Sequence, residues 1–193
     1  MLPFPSPLQT GTAPRSSGPR ADGDARRRAP AYGRAKLGRA PLEGGVPDRG
    51  PWGNEMARWL FKSEPSTWSW DQQVAAGAEG TFWNGVRNHL AKKQLMAMQV
   101  GEQGFFYHSN EGKAVVGIVE VIKEYYPDPT DPSGRFGMVD LKAVEALRTP
   151  VTLEDVKREP RLATMILINN SRLSVQPVTD EEYALIRKMG GLK

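Results

Sequence analysis

The chain has no cysteine. That absence excludes a disulfide framework, a thiolate metal site and a cysteine nucleophile together. Histidine is nearly as scarce: His89 and His108 are the two in the sequence, and they do not stand at a metal-ligand spacing from one another. No phosphate-binding glycine loop and no dinucleotide fingerprint occurs. No apolar run approaches the ~20 residues of a membrane span, so no membrane partner is expected and the chain reads as soluble and intracellular.

The acidic and basic residues leave a net charge of +4, which suggests nucleic acid until its location is considered. Residues 1–55 hold nine of the 26 Lys/Arg and five of the 22 Asp/Glu, so they carry all of the net charge, and residues 56–193 hold 17 of each sign. Any electrostatic grip by the second segment must therefore come from clustering on one face.

The first 55 residues also contain nine of the 16 Pro and nine of the 20 Gly. So few apolar side chains cannot offset the entropy of ordering the backbone, and the segment reads as a disordered extension. Its other readings are a basic tail, a targeting segment, or a stretch ahead of a true start at Met56. Prolines interrupt a signal peptide there, and Asp22, Asp24 and Glu43 speak against a transit peptide.

From Trp59 the texture changes. Arg58 to Ser63 reads as a strand stopped by Pro65. Ser69-Trp70-Asp71-Gln72 matches a capping box, predicting a short helix that ends at Gly77. Gly80 to Gly85 reads as a loop, and Asn88 as the cap of a second helix ended by Gly101. Gln103–Ser109 and Lys113–Lys123 are β-rich runs around Asn110-Glu111-Gly112, a hairpin signal. Tyr126 to Gly134 reads as a loop. Residues 136–149 fit strand or helix, with strand preferred because it completes a sheet. Thr152 and Thr179 begin two more helices, and Leu173–Val178 is a late strand that Pro177 puts at an edge. The sum is an α+β domain, with short helices beside a mainly antiparallel sheet, plausibly a small curled barrel.

All five Trp fall between Trp52 and Trp83, and Phe105-Phe106-Tyr107 follows. Aromatic faces can stack an unpaired base, at roughly 1–3 kcal/mol per base. Trp59, Trp68 and Trp70 read as core, because large aromatics beside a strand and a capped helix are usually buried. Trp83 stands open between core and binding. Gly85-Val86-Arg87-Asn88 offers a bidentate donor and an amide ahead of a helix, suited to a phosphate or a base edge; a cap with a surface ion pair is the alternative. His108-Ser109 is adjacent in sequence, which does not make a triad.

Trp59-Leu60-Phe61-Lys62-Ser63-Glu64-Pro65, then Trp83 to Asn88, then Phe105-Phe106-Tyr107-His108-Ser109 resemble the EVE domain family in order and spacing. Val116 to Val121, Tyr126-Pro127-Asp128 and Leu173 to Val178 extend the resemblance over residues 56–193. It implies a PUA-like small mixed β-barrel with flanking short helices, akin to YTH and ASCH domains. It also implies a module that reads a modified base in DNA or RNA, with modified cytosine such as 5-methylcytosine in DNA favoured. No enzyme activity, cofactor or metal is implied. Transferred residue by residue, Lys62, Ser63 and Glu64 form one wall of the pocket. Trp83, Val86, Arg87 and Asn88 form the second, Tyr107, His108 and Ser109 the floor, and Arg172, Leu173 and Ser174 the closure. The chain departs from the family pattern at His89-Leu90, where a polar or aromatic residue followed by Ala is more usual. A monomer is expected, cytoplasmic, or nuclear in a eukaryote. The alternatives are an ASCH-like enzyme acting on nucleosides or nucleic acid, and a protein-interaction module.

Overall fold

In the computed structural model, residues 56–193 are described; the expected extension over 1–55, including Trp52, lies outside them. The elements run β1 (Arg58–Ser63), α1 (Trp70–Ala75), β2 (Thr81–Phe82), α2 (His89–Ala97), β3 (Gln103–His108), β4 (Ala114–Pro127), β5 (Gly137–Thr152), α3 (Leu153–Arg158), α4 (Ile166–Asn169), β6 (Val175–Val178) and α5 (Asp180–Met189). The six strands form one mixed sheet in the order β2-β5-β4-β3-β1-β6. β1 is parallel to β3, and the other ladders are antiparallel. This is the α+β, PUA-like architecture expected, with β2 and β6 as the end strands.

Period-2 alternation divides the buried side chains between the two faces of the sheet. Trp59 and Phe61 of β1, Phe106 of β3 and Val119 and Val121 of β4 join one core. Leu60, Phe105, Tyr107, Val115 and Ile118 join the other. β5 serves both: Val139 and Leu141 enter the first core, Leu147 and Val151 the second. The β4–β5 ladder shifts register at four places along its length. Such bulges bend and twist a long pair, and here they curl it so that one strand meets both layers.

The local signals act as their chemistry predicts. Ser69, Thr152 and Thr179 each accept from the amide three residues on, and Gln72, Asp155 and Glu182 return the bond. Asn88 caps α2 by accepting from Leu90 and Ala91. Asn110 and Gly112 take positive φ in the β3–β4 turn, where Asn and Gly are least penalised. Three expectations are corrected. Thr81–Phe82, within the expected loop, is a two-residue strand on β5. Tyr126 and Pro127 belong to β4, not to the loop, and pair with Met138 and Gly137; a proline at a strand's last position leaves the ladder intact. The helix α2 ends at Ala97, before Gly101.

Candidate functional site

The aromatic side of the sheet is organised around Phe106. Its ring meets Trp83 edge-on at 5.6 Å, Trp70 at 5.5 Å and His108 at 5.7 Å, and Trp83 also meets Phe61 at 5.4 Å. Trp70 lies so close over Gly117 that a Cβ there would collide with the indole ring. The indoles also have polar anchors. Trp59 Nε1 donates to the buried Glu102 at 2.8 Å, and Trp68 Nε1 to Gln73 Oε1 at 2.9 Å. Gln73 in turn donates to the Leu141 carbonyl. Trp59 and Trp70 thus pack as core residues, and the half-buried Trp68 packs against that core. Trp83 is only 8% exposed and its amide donates to the Val139 carbonyl at 2.7 Å, so it too is set into the core and supports the loop that follows.

That loop is held by a contact the sequence reading missed. Asp128, whose side chain is fully buried, accepts from the Gly85 amide at 3.0 Å and from Arg87 Nη1 at 2.7 Å. Arg87 Nη2 also donates to Thr130 Oγ1. Burial alone would raise the Asp128 pKa; the bonds from Thr130, Arg87 and Gly85 outweigh it and hold the carboxyl well below the usual carboxylate range. The signal was present in the sequence. Asp128-Pro129-Thr130 and Asp131-Pro132-Ser133 form two successive Asx turns, in which each Asp accepts from both the amide and the hydroxyl two residues on.

The second expected wall is therefore not a free recognition surface. Val86 is core, Arg87 clamps the loop, and the Asn88 side-chain oxygen is occupied by the helix cap.

The single pocket floor is likewise divided, because neighbouring strand residues point to opposite faces. Ser63 and His108 lie opposite each other in the β1–β3 ladder, on the aromatic side. Ser63 Oγ donates to the Trp68 carbonyl at 2.8 Å. His108 Nε2 accepts the Trp70 N–H at 3.0 Å, satisfying an otherwise unpaired donor in the first turn of α1. Burial lowers the His108 pKa, with Asp71 opposing, so the ring is held as the neutral acceptor.

Lys62 and Tyr107, also paired in that ladder, face the other side. Lys62 Nζ stands 5.9 Å over the Tyr107 ring and donates to the Ser171 carbonyl at 3.2 Å. Burial pulls its pKa down to about 8 and pushes that of Tyr107 up. The Lys62 amide donates to the Ser174 carbonyl, which brings the 171–174 segment to the strand end. Within that segment Leu173 is core and Arg172 exposed. Ser109 donates its amide to the Ser63 carbonyl, and Glu64 is exposed beyond it.

The structure thus gathers Ser63, His108 and Trp83 around one aromatic cluster. It places Lys62, Tyr107 and Ser174 behind the same strand end. Among the described residues, no group of three His, Cys, Asp or Glu side chains converges in a way that would hold a metal ion.

Comparison with known proteins gives a consistent result. A family model described as the EVE domain matches residues 57–189. Thymocyte nuclear protein 1 of Gallus gallus is 36% identical over 160 residues, 66% of each chain. An NMR structure of a Rhodopseudomonas palustris protein is similar at 65% identity with a TM-score of 0.67, covering 70% of this chain and 93% of that one. A crystal structure of the human THYN1 protein in complex with DNA containing 5-methylcytosine is similar at 31% identity and a TM-score of 0.67, covering 71% and 99%.

Proposed function

The chain belongs to the EVE domain family, and from that premise we propose that residues 56–193 bind nucleic acid and read one modified base, with 5-methylcytosine in DNA the favoured ligand. The observation that carries this reading is the human relative, which shares the fold and was crystallised with DNA containing that base. The chemistry of the site supports it. A base must leave its stack to be read, at a cost of a few kcal/mol. We assign to its edge the groups that the fold leaves unused around the aromatic cluster: the Asn88 amide nitrogen, since only its oxygen serves the cap, and the remaining capacity of Ser63 and His108 beyond their bonds to Trp68 and Trp70. We assign the exposed Glu64 to accept from an exocyclic amine, as carboxylates do with cytosine N4. Lys62 and Tyr107 lie on the other face at this strand end, Leu173 joins the aromatic core, and Ser109, Arg172 and Ser174 are assigned to the mouth.

An enzyme in the same place would need an acid or base. His108 is poorly suited, since its Nε2 lone pair already holds the Trp70 amide. Lys62 faces the other side of the sheet and is tied to the Ser171 carbonyl, so the expected activity is binding without turnover.

The test is a titration of the full chain with short DNA and RNA oligonucleotides that differ in one cytosine, unmodified or 5-methylated. Tighter binding to the methylated DNA, diminished by Ser63→Ala or Glu64→Gln in a folded protein, is expected. Equal affinity for every oligonucleotide would overturn the reading. Trp83→Ala is a poor probe, because it removes a core side chain.

A further inference from the structure

The basic residues of this balanced domain are not evenly spread. From Gly80 to Gly101 the chain has no Asp or Glu, and none stands between Asp131 and Asp140. The Arg87–Asp128 contact ties the first stretch to the turn that leads into the second. At their junction three basic side chains surround Phe136: the His89 ring at 5.1 Å between centroids, the Arg87 guanidinium carbon at 5.8 Å and Lys92 Nζ at 6.0 Å. Phe136 itself is buried and fixed by its amide, which donates to Asp131 Oδ2 at 2.8 Å. Lys93 stands one helical turn beyond His89 on α2, where residues four apart are neighbours, and Arg135 is exposed beside Phe136.

The nearby carboxylates do not neutralise this surface. Asp128 is taken up by Arg87, Thr130 and Gly85. Asp131 is buried and taken up by Ser133 and the Phe136 amide. His89, Lys93 and Arg135 are exposed and Lys92 is half-buried; Arg135 Nε donates to Ser133 Oγ, a neutral partner, and neither stretch sets a carboxylate against these four.

The geometry points to a second contact surface, formed by His89, Lys92, Lys93 and Arg135 around Phe136, that grips the phosphate backbone of the nucleic acid flanking the base being read. It rests on the proposed reading of the domain as a nucleic-acid binder and adds a division of labour to it. The aromatic rim discriminates the base, whereas this patch supplies affinity indifferent to sequence and modification. Phosphate contacts position a protein without carrying base information. Each one lost lowers the slope of log K against log salt by about 0.9 on duplex DNA.

The experiment compares the full chain with the variant carrying His89→Ser, Lys92→Gln, Lys93→Gln and Arg135→Gln. The sites are at the surface, and an unchanged thermal midpoint confirms the fold. Both proteins are titrated with duplex DNA, methylated and unmethylated, at several salt concentrations. The expected result is a salt slope smaller by about 2–3, with affinity for both duplexes reduced about equally and their ratio preserved. Ser63→Ala should do the reverse, reducing the ratio and leaving the slope. An unchanged slope and affinity in the fourfold variant would overturn the patch while leaving the base reader standing. A loss confined to the methylated duplex would also overturn it. If the wild type binds all duplexes equally but the slope still falls in the variant, the patch stands and the base reader does not.

Discussion

The two faces of the sheet are built from different materials. One face collects Trp59, Trp70, Trp83, Phe61 and Phe106, with Trp68 packed against it. The other is mostly Leu, Val, Ile and Met around Phe105, Tyr107 and Tyr183. Aliphatic side chains fill volume and can repack; indoles and phenyl rings meet in preferred edge-on arrangements and carry polar edges that must be satisfied. The aromatic face therefore fixes orientations as well as burying area, and it lies beneath the Trp83–Asn88 loop and the end of β1. The aliphatic face holds a different part of the chain, burying Leu162, Met165 and Leu167 of the segment between α3 and β6.

The sharpest way to break this contrast is to remove one large ring from each face. Phe106→Ala and Phe105→Ala should each cost about 3–5 kcal/mol in denaturant titrations. At a temperature where both remain folded, Phe106→Ala alone should lower the preference for the methylated oligonucleotide. Equal losses of preference would mean that the two faces do not differ in role.

Next in size is the clamp. Asp128→Ala strands the Gly85 amide and the Arg87 guanidinium, and roughly 2–3 kcal/mol should be lost. Hydrogen exchange at Gly85 should rise well beyond the change at Gln103 in β3, and uniform exchange would contradict the loop-holding role.

A smaller effect is expected at His108. His108→Leu leaves the Trp70 N–H unpaired and should cost roughly 1 kcal/mol, most of it restored in His108→Gln. The sign with pH follows from the lowered pKa. The bond contributes fully above the unfolded value of about 6.5 and is lost as pH falls through the depressed folded value. A flat difference between wild type and His108→Gln over that range would contradict the assignment.

The smallest effect is on the aliphatic side. The Lys62 pKa is lowered to about 8 in the fold, so the unfolded chain binds more protons between that value and its own, about 10.4. Solvent screening of the partly exposed ammonium removes most of that linkage, so stability should rise slightly with pH across this window, and Lys62→Met should remove the rise.

Much of the fold was readable because its signals are local. Ser69, Asn88, Thr152 and Thr179 cap helices through residues two or three places on, and Asn110 and Gly112 turn a hairpin within three. The ambiguity over 136–149 came from β5 itself: Val139 and Leu141 face one core and Leu147 the other, so the alternation breaks where the strand bends. The site was harder to read. Arg87 stood open between a base-edge donor and an ion pair beside the cap; the structure shows the cap and the pair, and the partner could not be named because Asp128 lies 41 residues away. Lys62 with Ser63, and Tyr107 with His108, looked like continuous walls, although the period of a strand sends each pair to opposite sides.

The position of β1 also affects how the protein is made. It lies between β3, which follows soon after it, and β6, which pairs with Phe61 through Val175 and with Arg58 through Val178. On the ribosome β1 can find its first neighbour once β3 has emerged, but the second cannot be reached until β4, β5 and the helices that precede β6 have also been made. Until then one side of β1 is an open row of backbone donors and acceptors, the kind of edge on which chains aggregate. A premature stop anywhere before Val175 would leave that edge uncovered permanently, so truncated products should be insoluble even when most of the domain is present.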